Sequence, residues 1–248
     1  MQLKRTVHIR QIMALSMLHG IPTPFVEREE KMLRRIIKRG QVAIDIGANV
    51  GMYTLYLSRL VGKEGHVYAF EPFKPTYELL SKTVERKGLE NVSCFNNAIG
   101  ERETQISLEI PKINNRRIND PYVHLELGSE GEIKMICLDD FIRENVISDV
   151  SFIKVDVEGY EHFVFEGASE TIKRFKPTIL TEINTKWTKR YGKDPTDVEK
   201  LLNSFGYNGY VLNRNRFIPS SVNHSKYENF FFFHRATHIP SYNDVHSN

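Results

Sequence analysis

The tightest constraint on this chain is the run Val42-Ala43-Ile44-Asp45-Ile46-Gly47-Ala48-Asn49-Val50-Gly51. Val42 to Ile46 reads as a short buried strand carrying an acidic residue near its end. After Gly51 the period changes: Tyr53, Leu57, Leu60 and Val61 fall on one face of a helix. Gly47 lets the backbone turn tightly, and Gly51 lets helix and strand pack closely. Such a strand–turn–helix places a nucleoside-bearing cofactor at the carboxyl end of a parallel strand. Taken alone, the same pattern also serves as plain structure.

The missing residues narrow the choice of cofactor. A pyrophosphate cofactor calls for G-x-G-x-x-G, whose middle glycine admits the phosphates. Here the middle position is Asn49 and the last is Met52, which disfavours a dehydrogenase. An acidic strand end suits a cation better than an anion. S-adenosylmethionine has no phosphate and carries a sulfonium and an amine, so it fits Asp45-x-Gly47-x-x-x-Gly51 better than a dinucleotide does.

Later strands repeat the acidic ending. His66 to Phe70 leads into Glu71, twenty residues after Gly51. A carboxylate there can accept ribose hydroxyls, each such charged hydrogen bond contributing roughly 1.5–3 kcal/mol. A third strand, Val92 to Asn96, leads into Asn97-Ala98-Ile99-Gly100, and Asn97 can both donate to and accept from a purine edge. Phe152 to Asp156 reads as a fourth strand, followed by Val157-Glu158-Gly159-Tyr160-Glu161 and a helix through Val164, Ala168, Ile172 and Phe175. Ligands bind outside the carboxyl ends of open α/β sheets, so Asp156 and Glu158 are expected to face the crevice shared by Asp45 and Glu71. Glu161 reads rather as a complement to the helix N-terminus. A fifth strand, Thr178 to Thr181, ends in Glu182, with Asn184 two residues on. Asp156, Glu182 and Asn184 form an oxygen set that suits Mg²⁺; hydrogen bonding to a loop or substrate is the commoner use of such groups.

The ordered stretches Val42 to Thr54, Phe70-Glu71-Pro72, Asn97 to Gly100, Leu138-Asp139-Asp140-Phe141 and Phe152 to Glu161 resemble the motifs of FkbM-type methyltransferases. The resemblance spans about residues 41–183. It implies an α/β, Rossmann-like class I sheet: mostly parallel, seven-stranded, with helices on both faces and an antiparallel last strand. It further implies S-adenosylmethionine as cofactor and, for most members, methylation of hydroxyls on sugars or secondary metabolites. By that similarity Asp45, Gly47, Asn49 and Gly51 cradle the methionine part, with Tyr53 and Thr54 closing the motif. Glu71 holds the ribose, Asn97 and Ala98 lie by the adenine, and Asp156 and Glu158 stand at the methyl-transfer end.

The rest of the chain fits one enzyme domain with extensions. Of 248 residues, 40% are hydrophobic and 26% charged, enough for a single core. Cys94 and Cys137 show no metal-ligand spacing and read as buried apolar residues, in keeping with a reducing cytoplasm. No apolar run approaches a membrane span. Ile12 to Leu18 follows Lys4, Arg5 and Arg10 but is short and lacks a cleavage pattern, so a signal peptide is not expected. Residues 1–40 form a basic extension of charge +6, leaving −3 for the remaining 208. Thr23-Pro24 can open a helix there, Met32, Leu33, Ile36 and Ile37 give it an apolar stripe, and Gly40 can end it. Its Arg28, Lys31, Arg35 and Lys38 form a solvated face or, alternatively, greet an anionic partner.

The methyltransferase domain is expected over 41–236, with an insertion near 101–137. Ile106, Leu108 and Ile110, and then Ile133 and Met135, alternate as half-buried strands. The polar loop between them, Pro111 to Gly131, offers Arg116, Arg117 and His124 as substrate contacts. Further on, Asp194-Pro195-Thr196-Asp197 opens a helix that Gly206 stops. Tyr207 to Leu212 and Asn229 to His234 are strands, the second covered on both faces by four phenylalanines. Residues 237–248 read as a frayed tail.

The expected chemistry is attack of an acceptor oxygen on a sulfonium methyl, assisted by a base drawn from Asp156, Glu158 and Glu182, with His162 and His124 as lesser candidates. The acceptor is expected to be a small-molecule or glycan hydroxyl. The alternative is an RNA or protein methyltransferase using the basic N-terminal segment, whose nucleic-acid binding would be steeply salt-sensitive. A catalytically silent binding module is the third reading.

Overall fold

The computed structural model describes residues 28–109, 112–113, 116–117, 124–126, 132–213, 216–224, 228–237 and 239. In chain order they form α1 (Arg28–Ile36), β1 (Val42–Ile46), α2 (Met52–Val61), β2 (His66–Phe70), α3 (Lys74–Arg86), β3 (Val92–Phe95), β4 (Ala98–Ile99), β5 (Thr104–Glu109), β6 (Lys112–Ile113), β7 (Arg116–Arg117), β8 (His124–Glu126) and β9 (Ile133–Ile136). There follow α4 (Leu138–Glu144), β10 (Phe152–Val155), α5 (Glu161–Glu166), α6 (Ser169–Phe175), β11 (Thr178–Glu182), α7 (Thr185–Thr188), α8 (Pro195–Ser204), β12 (Tyr207–Asn213), β13 (Arg216–Pro219) and β14 (Asn229–His234).

The main sheet runs β13-β12-β14-β11-β10-β1-β2-β3 among the described residues. Strands β3, β2, β1, β10 and β11 are parallel. β14 is antiparallel to both β11 and β12. The crossovers leave β1 in opposite directions, to β2 on one side and eventually to β10 on the other, so the ends of β1 and β10 form the topological switch point. The sheet has one strand more than the expected seven. Arg216–Pro219 hairpins onto β12, where a proline is tolerated because the strand is an edge.

Continuous apolar runs explain the central strands. Both faces are covered, so alternate residues enter different cores. Phe230 and Phe232 join Ile44, Ile46, Ile153 and Val155, while Phe231 and Phe233 join Ala43, Leu57, Val67 and Phe152. The second core also takes Met32, Leu33 and Ile37 from α1 and the residues just after it, all essentially buried. Burying each such side chain contributes about 1.5–3 kcal/mol, so α1 is part of the domain's packing. The expected helix start at Thr23-Pro24 lies outside the described residues.

Two local expectations change. The helix expected through Val164 to Phe175 is two, α5 and α6, broken at Gly167. A Cβ on Gly167 would lie 2.0 Å from the Gly100 carbonyl oxygen, and the Asp139 carboxylate accepts the N–H groups of Glu170 and Thr171 at the start of α6. The insertion pairs β5 with β9 as its alternation suggests, but β4 and β8 extend this sheet and β6 pairs with β7. Both cysteines are half-buried and free, and burial pushes the Cys94 thiol up to about 11. No described helix is long and apolar enough to cross a membrane.

Candidate active site

Register builds the site. Ile46 pairs with Phe70 on one side and Val155 on the other, and Val155 pairs with Thr181. The next residue of each strand or strand end is therefore Gly47, Glu71, Asp156 and Glu182. These four line one cleft, joined by Glu158 and by Asn229 of β14. The cleft spans about 1330 Å³ counted out to its open mouth.

The turn after β1 is held from both neighbours. Gly47 and Ala48 donate to the Phe70 carbonyl, both at 3.0 Å. Gly47 has φ +76°, and a Cβ there would stand 1.9 Å from the Asp156 carbonyl oxygen; no side chain fits where β1 and β10 converge. Asn49 adopts φ +50°, and its N–H donates to Glu71 Oε2 at 2.7 Å. Glu71 Oε1 accepts from Phe73 N at 2.9 Å and Thr76 Oγ1 at 2.8 Å. A carboxylate offers about four acceptor positions, so about one on Glu71 stays open. Asn96 donates to the Glu71 and Pro72 carbonyls and fixes this corner.

Asp45, Gly51 and Thr54 stand behind the cleft wall. Asp45 is fully buried, two register rows below Gly47, where it accepts from Thr54 Oγ1 at 2.6 Å. Gly51 allows α2 to approach α3: a Cβ would meet Leu80 at 2.4 Å. Gly47, Asn49, Tyr53, Glu71, Asn97, Ala98 and Asp156 do reach the cleft.

Lys154 is the residue that sequence reading missed. It faces Asp45 across the β1–β10 pairing, its Nζ 3.7 Å from Asp45 Oδ1, 3.3 Å from Asp156 Oδ2 and 4.7 Å from the Tyr53 ring centre. Burial works against its charge, but the Asp156 and Asp45 carboxylates outweigh it and hold the ammonium above its ordinary range. It is therefore a fixed cation at neutral pH. The one sequence signal was a lysine inside an otherwise apolar strand.

After β10 the chain turns through Glu158 at φ +53° and Gly159 at φ +105°. Further along, Asn184 caps α7, accepting from Lys186 N at 3.0 Å and donating to Glu228 at 3.1 Å. It is thereby engaged away from the oxygen set expected with Asp156 and Glu182. Among the described residues no group of three His, Cys, Asp or Glu is arranged to hold a metal ion. His162 pairs with Glu166 at 3.2 Å and does not line the cleft. The side chains of Arg116, Arg117 and His124 lie outside the described residues.

An open α/β sheet of order β3-β2-β1-β10-β11-β14-β12 with β13 added at its edge, and an acidic cleft at its switch point, defines a Rossmann-like class I methyltransferase fold. Comparison with known sequences agrees. The Methyltransferase FkbM domain profile matches residues 45–208, and the chain belongs to that family. It is 25% identical over 193 residues to the hexuronic acid methyltransferase AglP of Haloferax volcanii, covering 76% of this chain and 73% of that one. It is 27% identical over 145 residues to Methyltransferase 1 of Beauveria bassiana, covering 51% of this chain and 58% of that one. The crystal structure of Methyltransferase FkbM from Methylobacillus flagellatus superposes with a TM-score of 0.50 at 16% identity, covering 91% of this chain and 59% of that one. This protein is an S-adenosylmethionine-dependent methyltransferase. Its residues fit that cofactor: among the described cleft residues four carboxylates, Glu71, Asp156, Glu158 and Glu182, face one ammonium, Lys154, an environment suited to a cationic sulfonium.

Proposed function

We propose that the protein methylates a hydroxyl oxygen on a sugar or glycan, or on a comparable secondary metabolite. The observation that carries this reading is the pairing of Asp156 with the buried Lys154 at the switch point, with Glu182 one strand over. AglP, named for a hexuronic acid, supports a sugar acceptor. Four cleft carboxylates against one ammonium favour a neutral hydroxyl as the reacting group over a second carboxylate.

When bound, S-adenosylmethionine supplies an electrophilic methyl. Gly47, Asn49, Tyr53, Glu71, Asn97 and Ala98 are assigned to holding the cofactor, and Asp156, Glu158 and Glu182 to the transfer end. A hydroxyl holds its proton about as tightly as water, near pKa ~15.7, far above a carboxylate's ~3.9. Asp156 therefore accepts the proton as the new C–O bond forms, not beforehand. Such a base contributes about 10²–10⁴-fold. Lys154 Nζ, 3.3 Å from Asp156 Oδ2, holds that carboxylate in place. Alignment of the two reactants in the cleft supplies roughly 7–11 kcal/mol more.

Calorimetry with S-adenosylmethionine and S-adenosylhomocysteine tests the cofactor site. Methyl transfer from labelled cofactor to neutral hexosides, hexuronic acids, RNA and protein then tests the acceptor. The expected product is an alkali-stable methyl ether on a carbohydrate or metabolite hydroxyl. Label appearing only in RNA or protein, or only as an alkali-labile methyl ester, overturns the proposal.

A further inference from the structure

Of the three carboxylates between Asp156 and Glu161, two line the cleft and one does not. Glu161 is 1% exposed. Its Oε1 accepts the N–H of Gly159 at 3.0 Å and of Val157 at 3.3 Å. Its Oε2 is buried and has no hydrogen-bond partner among the described residues. The turn it holds is a costly one. Glu158 sits at φ +53°, a left-handed conformation that non-glycine residues rarely adopt. Gly159 lies so close to α7 that a Cβ would meet the Trp187 carbonyl carbon at 2.4 Å. Buried N–H groups must find acceptors, and here a side chain provides the acceptor for two of them.

We propose that Glu161 is a positioning residue: its carboxylate clasps the Val157 and Gly159 amides and so presents Asp156 and Glu158 to the cleft. The inference rests on the assignment of Asp156 and Glu158 to the transfer end. Strain at functional turns persists only where the surroundings over-determine it, and Glu161 is that determinant.

The surroundings also make the clasp sensitive to pH. Burial pushes the Glu161 carboxyl up to about 7, against the amides of Gly159, Glu161 itself and Val157 and with help from the Asp156 charge. The other charged groups nearby are engaged elsewhere. On its own helix His162 pairs with Glu166. Tyr160 donates to Glu101. Asp197 of α8 pairs with Lys200, Lys186 of α7 lies over the Trp187 ring, and Lys154 of β10 pairs with Asp156. The ionised acceptor is therefore lost as pH falls through about 7.

Amide hydrogen exchange and carboxyl NMR, read from pH 5.5 to 8.5, test this without any acceptor. In the native protein, protection of the Val157 and Gly159 amides, corrected for intrinsic exchange, changes in a step as pH passes through about 7, and the Asp156 and Glu158 carboxyl resonances carry a step at the same pH. In Glu161→Gln that step vanishes. Where an acceptor is in hand, turnover of Glu161→Gln falls about 10²-fold, the scale of a ~1 Å misplacement, while S-adenosylhomocysteine binding changes less than about threefold. Protection and carboxyl shifts that are the same in Glu161→Gln as in the native protein overturn the proposal. If that variant does not fold, a native titration with no step between pH 6 and 8 overturns it alone. Normal turnover in Asp156→Asn with Glu158→Gln refutes the transfer-end assignment instead, and leaves the exchange result to judge the clasp.

Discussion

The turns after β1 and β10 use one device in two versions. Each places a non-glycine residue at positive φ, Asn49 at 50° and Glu158 at 53°, with glycine beside or shortly after it. Each is clamped by a buried carboxylate that accepts backbone N–H groups: Glu71 for the first turn, Glu161 for the second. The clamps differ in how well they are satisfied. Both Glu71 oxygens have donors, including the Thr76 hydroxyl. One Glu161 oxygen has none among the described residues. The turn after β1 is thus tied down, whereas the turn after β10 depends on a carboxylate that burial raises to about 7. Precision is built into both, and burial raises both carboxyls above their ordinary range, that of Glu161 to about 7.

The largest effect comes from the backbone approach that joins the two turns. Gly47→Ala puts a Cβ 1.9 Å from the Asp156 carbonyl oxygen, so one strand end has to move. Losses above about 4–5 kcal/mol are exceptional and mark such clashes. At about 2–4 °C per kcal/mol for a chain near this size, the melting temperature falls by about 10 °C or more. Gly88→Ala is the control: φ is +60° but the space around it is open, so about 1 kcal/mol is expected. Equal melting shifts for the two variants would mean that β1 and β10 do not converge.

Next in size is Lys154→Met. Removing one partner of a buried ion pair costs about 3–5 kcal/mol, since the partner charge stays behind. Asp45 is 0% exposed and is stranded by this change. Adding Asp45→Asn to Lys154→Met should restore part of the loss in denaturant unfolding. A double variant no more stable than the single would show that Asp45 and Lys154 do not interact.

The contrast between these turns also explains what sequence reading could reach. Asp45, Gly47, Asn49 and Gly51 stand within seven residues, and β1, β2, β10 and β11 are short, mostly apolar segments, so their placement was legible. The division of labour inside that motif was not. Asp45 and Lys154 are 109 positions apart and meet only through parallel register. Glu161 read as a helix-end charge because its acceptor role depends on a left-handed turn that no local pattern announces. β13 escaped notice because a short strand ending in proline has weak β character. The break at Gly167 escaped because it is imposed by Gly100 from a distant segment. Local period reveals elements; it does not reveal which buried charges face one another.

The Glu161 clamp predicts a slope in stability with pH. Its folded value of about 7 lies above the usual 4.5. Between those values the folded state holds a proton that the unfolded chain has released. The contribution to stability therefore falls as pH rises through this window and levels off above about 7. At 1.36 kcal/mol per unit the difference is at most about 3 kcal/mol. Glu161→Gln should flatten this part of the profile and be at least as stable as the native protein at pH 8. Identical slopes for the two in urea unfolding at pH 5, 6, 7 and 8 would remove Glu161 from the titrating groups.

The smallest effect belongs to the satisfied clamp. Glu71→Gln keeps the shape and an acceptor oxygen but loses the negative charge. One oxygen can still serve Phe73 N and Thr76, while the new amide confronts Asn49 N–H with a donor in place of an acceptor. The turn then relaxes, and the remaining acceptor position toward the cleft is weakened. A hydrogen bond to a charged group contributes about 1.5–3 kcal/mol, and a neutral acceptor retains part of it. Affinity for S-adenosylhomocysteine should therefore drop about tenfold by calorimetry. The pH dependence of Val157 and Gly159 exchange should stay as in the native protein, because that clamp is separate. If Glu71→Gln alters exchange at Gly159 as strongly as Glu161→Gln does, the two turns are one coupled unit, and the contrast drawn between them fails.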